Sequence, residues 1–168
     1  MKAKLIVEGR ELSIEINDLE LKKLLKSQKK TGYERAEKDE QAFYVGLSGI
    51  VMTLRDYRSN TSNDAYISGN YYSDKTVAEN NARADELMRR LRRFAAEHRD
   101  EELDWNNGLT DKYCIRYNHE EKLFHIISWS TNQQFSTIYF DSRKNAELAI
   151  NTFREELIWY FTEYKDSL

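Results

Sequence analysis

Near the start of the chain, apolar and polar residues alternate with the period of a half-buried strand. Lys4-Leu5-Ile6-Val7-Glu8 and Glu11-Leu12-Ser13-Ile14-Glu15-Ile16 read as two strands around a tight turn at Gly9-Arg10. Leu12, Ile14 and Ile16 share one face, and Glu11, Ser13 and Glu15 share the other. Asn17-Asp18 then offers an N-cap, and Leu21, Leu24 and Leu25 recur at helical spacing. Residues 1–31 therefore predict a ββα unit. Residues 30–41 are polar and charged, and predict a mobile connector.

Beyond that connector one pattern occurs twice. Residues 42–47 and 50–55 flank Ser48-Gly49 as a hairpin, 56–64 read as a loop, 65–72 as a third strand, and about 74–99 as a long helix. Residues 112–117 and 122–129 then flank Asn118-His119-Glu120-Glu121, with a third strand at 135–140 and a helix over about 142–164. The segment Tyr71 to Glu79 aligns with Tyr139 to Glu147 at an offset of 68. Such self-similarity marks an internal repeat. The predicted fold is α+β, an N-terminal ββα unit (1–31) followed by two tandem βββα repeats (42–99 and 105–168) whose antiparallel sheets are covered by helices. Equivalence of the two copies would place Ala78 over Ala146 and Tyr72 over Phe140.

Composition narrows the class. The 168 residues are 40% apolar and 33% charged, with no proline, eleven tyrosines and a net charge of −3. That balance fits a soluble globular protein and is too mild for a strongly basic nucleic-acid binder or an acidic mimic of DNA. No apolar run approaches a membrane span, and Met1-Lys2-Ala3-Lys4-Leu5 lacks a signal-peptide block, so a cytoplasmic protein is expected. The single cysteine, Cys114, excludes an internal disulfide and reads as a small buried side chain. Catalytic signatures are missing: there is no phosphate-cradling glycine loop, no nucleophile elbow and no Cys/His metal spacing. Of the three histidines, His119 and His125 could be brought close to Glu120 or Glu121 by a hairpin, but the set reads as ordinary turn and strand residues rather than as a metal site. No catalytic residue, metal or cofactor is expected.

The motif order itself carries a resemblance. Phe43-Tyr44-Val45, Gly49-Ile50-Val51, Gly69-Asn70-Tyr71-Tyr72 and Ala78-Glu79 come first, then Asp104-Trp105-Asn106-Asn107, Lys112-Tyr113, Ile138-Tyr139-Phe140-Asp141-Ser142 and Ala146-Glu147-Leu148-Ala149-Ile150. Over roughly residues 42–161 this order resembles an uncharacterised family of small proteins encoded by phages and prophages of Gram-positive bacteria. The family's first helix usually opens with two acidic residues before Ala-Glu, where this chain has Thr76-Val77. The resemblance implies an accessory phage protein working in the host bacterial cytosol, of a kind that often counters host defence. Its partner would be a host protein such as a Cas nuclease or its ribonucleoprotein, with a homodimer as a further association.

Two surfaces are candidates for binding. Six arginines and no lysine fall between Arg83 and Arg99; Arg89, Arg90, Arg92 and Arg93 lie mostly opposite the apolar stripe of Val77, Ala84, Leu87, Leu91 and Phe94. Arginine forks suit phosphate or carboxylate. However, Asp85 four before Arg89, Glu86 four before Arg90 and Arg93 four before Glu97 equally suit self-pairing, and both readings stay open. In the last helix Ala146, Ile150, Phe153, Leu157 and Phe161 form the core stripe, leaving Leu148, Thr152 and Trp159 on the opposite face. That face predicts packing between the copies, a homodimer contact or an anchor for a foreign partner. Tyr113 and Tyr117 beside Arg116 read as core rather than as a base-stacking platform. The sequence points to a non-enzymatic protein-binding role; the alternative is a nucleic-acid accessory protein using the arginine helix over 83–99.

Overall fold

The structure, a computed structural model, describes residues 2–7, 10–15 and 30–166. Its elements are β1 (Lys2–Val7), β2 (Arg10–Glu15), β3 (Gln41–Val45), β4 (Val51–Arg55), α1 (Asn60–Ile67), α2 (Lys75–Glu97), β5 (Lys112–Asn118), β6 (Leu123–Trp129), α3 (Arg143–Thr152) and α4 (Arg154–Thr162). The fold is α+β. Consecutive strands pair antiparallel as β1–β2, β3–β4 and β5–β6, three two-stranded sheets among the described residues. The first register joins Val7 to Arg10, one residue earlier than the predicted turn. The helix expected after Asn17-Asp18 lies outside the described residues.

Neither predicted third strand forms. Residues 65–67 of the first close the helix α1, which begins in the predicted loop: Ser59 caps α1 by accepting a hydrogen bond from the Ser62 amide, and Ala65 packs on Ala36, Ala42 and Tyr71. In the second, Ser136 takes a left-handed φ of 59° and Phe135 is fully exposed, which breaks the extended path. One residue of each survives as a bridge to the first strand of its hairpin, Tyr72 to Phe43 and Phe140 to Tyr113. The offset of 68 holds around those bridges: Asp74 and Ser142 cap the following helices, and Ala78 and Ala146 are both completely buried. The βββα pattern is thus reduced to a hairpin, a single bridge and a capped helix.

The predicted helix over 142–164 is two helices meeting at Phe153, whose φ of −113° and ψ of 24° fall outside helical values. Backbone bonds still cross the joint, from Phe153 N–H to Ala149 C=O at 3.0 Å and from Leu157 N–H to Phe153 C=O at 2.8 Å. The joint therefore reorients α4 without severing it from α3. Both pack with the C-terminal half of α2 in one cluster containing Leu87, Leu91, Phe94, Ile150, Phe153 and Leu157. The N-terminal half of α2 places Val77 and Ala78 against Tyr72, Phe43, Val45 and Val51.

The connector expected to be mobile is tied down from residue 31 onward. The Glu34 carboxylate accepts from the Thr31 amide and hydroxyl and the Gly32 amide, which holds its pKa down to about 2. Gly32 sits at φ 91°, and a Cβ there would meet Val77 Cγ2 at 2.6 Å, so glycine is required. Arg35 reaches Asp56 at 2.8 Å, and the Ala36 amide donates to the Tyr71 hydroxyl.

Lys112 anchors the second connector. Its side chain is buried, and Nζ donates to the carbonyls of Asn107, Thr110 and Ser130, each at 2.8 Å, beside the Trp105 ring. The substitution Lys112→Met keeps the stem and leaves three acceptors without their donor. An unmet buried acceptor costs about 1–3 kcal/mol. Since loop carbonyls can turn towards water, a loss near 2 kcal/mol in total, read by urea unfolding, is the expected result.

Candidate functional site

The arginines of α2 do not form one face of free cations. Arg83 lies over the Trp159 indole, its guanidinium carbon 3.8 Å from the ring centre. Arg90 leaves Glu86 and pairs with Glu156 of α4 at 3.0 Å, resting over Phe153. Arg93 meets Glu97 at 3.8 Å, the helix pair anticipated from spacing. Arg89 forms no ion pair with Asp85 among the described residues; its guanidinium lies beside the hairpin turn at Gly49. Arg92 lines a surface hollow together with Arg99 and Trp105.

The face expected from Leu148, Thr152 and Trp159 is also divided. Leu148 is 41% exposed, whereas Trp159 is 8% exposed, enclosed by Arg83 and Tyr164. Thr152 is exposed and returns its hydroxyl to the Leu148 carbonyl. The cause is the joint at Phe153, which breaks the helical phase that placed Trp159 in line with Leu148. Trp159 is packing between the helices of the two halves, not an outward anchor.

The departure of residues 130–138 from the sheet uncovers something else. A half-open cavity of about 210 Å³ lies between α2, α4 and β5, walled by Met88, Leu91, Ile115, Ile138, Leu157 and Phe161. Ser136, Thr137 and Tyr160 add hydroxyls to its lining. On one side it adjoins the hollow of Arg92 and Arg99, sharing Thr137 and Ile138. On the other it adjoins a hollow containing Arg116 and His119, sharing Ile115, Thr137 and Phe161. The three hollows share Thr137 and together make up the groove beside the strap 133–138.

Among the described residues no aspartate or glutamate lines these three hollows, but the Arg116 hollow shares Arg116, Tyr117 and His119 with a further one that holds Glu120. The acids Glu101, Glu102, Asp111 and Asp141 line a hollow beside Lys112 that shares Leu103 with the hollow of Arg92 and Arg99. Asp141 is further occupied by the amides of Asp100, Glu101 and Asn145; burial pushes its pKa up, but these donors outweigh it and hold the carboxyl below its ordinary value. The strap is positioned by Arg116 donating to the Gln134 side chain at 2.8 Å and by the Gln134 amide donating to the Tyr139 hydroxyl at 2.8 Å. Tyr117 stacks on Phe161, and Tyr113 packs into the main cluster, as a core reading of these tyrosines requires.

Other reactive side chains are engaged. His98 stacks on Phe94, His125 contacts Glu121 at 2.6 Å, and burial raises the Cys114 thiol above its usual pKa. No group of three or more His, Cys, Asp or Glu side chains is placed to hold a metal among the described residues, and no helix there is long and apolar enough to cross a membrane. Sequence reasoning missed Arg99 as a partner of Arg92, and the only local signal was its place at the end of the arginine run. No family model, curated protein or solved structure matches the chain.

Proposed function

We propose that this chain is a non-enzymatic binding protein acting by protein–protein contact, an accessory phage protein that inhibits a host defence system such as a CRISPR nuclease. The observation that carries the binding role is the apolar cavity flanked by Arg92, Arg99 and Arg116, none of which forms an ion pair among the described residues. The phage setting rests on the motif order between Phe43 and Ile150. A duplicated βββα ancestor, following a separate ββα unit, accounts for the recurrence of bridge, cap and buried alanine at the offset of 68. The test is plaquing efficiency on a bacterium with an active CRISPR system, with and without the expressed chain. Restored plaquing on that host, with no change on one lacking the system, is expected; unchanged restriction would overturn the reading.

Nucleic-acid binding through α2 is disfavoured by its pairing. Arg90 and Arg93 are matched to carboxylates and Arg83 to an indole, so only Arg89, Arg92 and Arg99 of the six arginines in the run are left to follow a phosphate backbone. Phosphate contacts strengthen steeply as salt falls. Even at about 50 mM salt, no binding to single- or double-stranded DNA or RNA is expected in a gel-shift titration. Binding that Arg89→Gln and Arg92→Gln together abolish would reverse this assignment.

A further inference from the structure

We propose that the groove beside residues 133–138 receives an extended acidic segment of the partner protein, with one apolar side chain inserted between α2 and α4 and flanking carboxylates held by Arg92 and Arg99 on one side and Arg116 on the other. This rests on the binding-protein reading above and specifies its contact site.

Size selects the occupant. An apolar cavity of about 150 Å³ accepts a benzene-sized group, and sites for whole small ligands span about 300–1,000 Å³. The cavity here, about 210 Å³, therefore suits one Leu, Met or Phe side chain. The long tail of a fatty acid would overfill it, and a lipid's single carboxylate would leave one cationic end without a partner. The lining adds the hydroxyl-bearing Ser136, Thr137 and Tyr160, which can meet a peptide backbone.

Charge selects the flanks. Arg92 and Arg99 have no carboxylate within ion-pair distance among the described residues, and Arg116 is held only by the neutral amide of Gln134. Guanidinium groups match carboxylates in bidentate geometry. Phe135, fully exposed on the strap, extends the apolar contact beyond the cavity. A cavity bordered on both sides by cations specifies the pattern acidic–apolar–acidic.

The experiment is fluorescence anisotropy of the full chain with labelled acidic peptides carrying a single central Phe, Leu or Met. At least one should bind, and replacing its anchor by Ala should weaken binding about tenfold or more, since a buried anchor carries that much affinity. Thr137→Trp, placed on the strap at the junction of the three hollows, should block the groove without entering the core. Arg92→Gln with Arg116→Gln should weaken the same peptide and flatten its salt dependence. Circular dichroism melts establish that the variants fold. Failure of every peptide to bind at about 1 mM, the millimolar limit of specific recognition, would overturn the proposal. So would equal binding of the Ala-anchored peptide, preference for myristate, or a dimer that Phe135→Ser dissolves. Loss of peptide binding by Thr137→Trp with undiminished protection of phage would reject this site and leave the binding-protein role standing. Peptide binding without protection would do the reverse.

Discussion

Replacing Asp56 with alanine is expected to lower the unfolding free energy by about 3 kcal/mol, among the largest single losses available outside the apolar core. The carboxylate has no solvent exposure and is held by Arg35 at 2.8 Å, Arg58 at 3.0 Å and the Tyr71 hydroxyl at 3.0 Å. Removing one partner of a buried ion pair costs about 3–5 kcal/mol. The lower end applies because the guanidiniums of Arg35 and Arg58 still reach water. Its effect should follow pH in a defined direction. The Arg35 guanidinium, with the Arg58 amide and the hydroxyls of Ser62 and Tyr71, holds the Asp56 carboxyl far below its ordinary value, outweighing burial. A depressed carboxylate stabilises the fold above its unfolded pKa of about 3.9 and loses that contribution as pH falls below it. Urea unfolding of wild type and Asp56→Ala should therefore differ most at neutral pH and converge in acid. A gap that stays constant down to about pH 2 would contradict this account.

The second large effect concerns Trp159. Truncating a buried aromatic costs about 3–5 kcal/mol. With its face covered by Arg83, Trp159→Ala should fall in that range and lower the melting temperature by roughly 10 °C in a chain of this size. Leu148→Ala, on the exposed side of α3, should stay within about 0.5 kcal/mol of wild type. Light-scattering mass should be the same for all three proteins. A mass that drops in Trp159→Ala while its melting temperature holds would restore the indole as an intermolecular anchor.

Local patterns carried part of the fold well. Alternation located the β3–β4 and β5–β6 hairpins to within a residue or two, and the capping residues Asp74 and Ser142 could be read from their place before Ala-Glu. The failures are long-range. Ala65-Tyr66-Ile67 looks like strand until Ala65 is seen to need contact with Ala36 and Ala42, which favours α1. Phe153 interrupts a sequence with neither proline nor glycine to announce a break, and the predicted face of Leu148 and Trp159 failed with it. Arg35 and Asp56 stand 21 residues apart in segments that read as connector and loop. The groove exists because a predicted strand did not form, so strand-forming signals pointed away from it. Of its cations, Arg92 was anticipated as part of a run, while Arg99 and Arg116 gain meaning only beside the cavity.

Helix α2 spans 23 residues, about 35 Å at 1.5 Å per residue, and its two ends belong to different apolar clusters. Its C-terminal half supplies Leu87, Leu91 and Phe94 as a wall for the cluster that holds Phe140, Ile150, Phe153 and Leu157. A fragment ending near residue 99 would carry that wall bare, and one starting near residue 105 would lack it. The two hairpin-and-helix halves are therefore joined through one helix, and each can vary only as far as α2 allows.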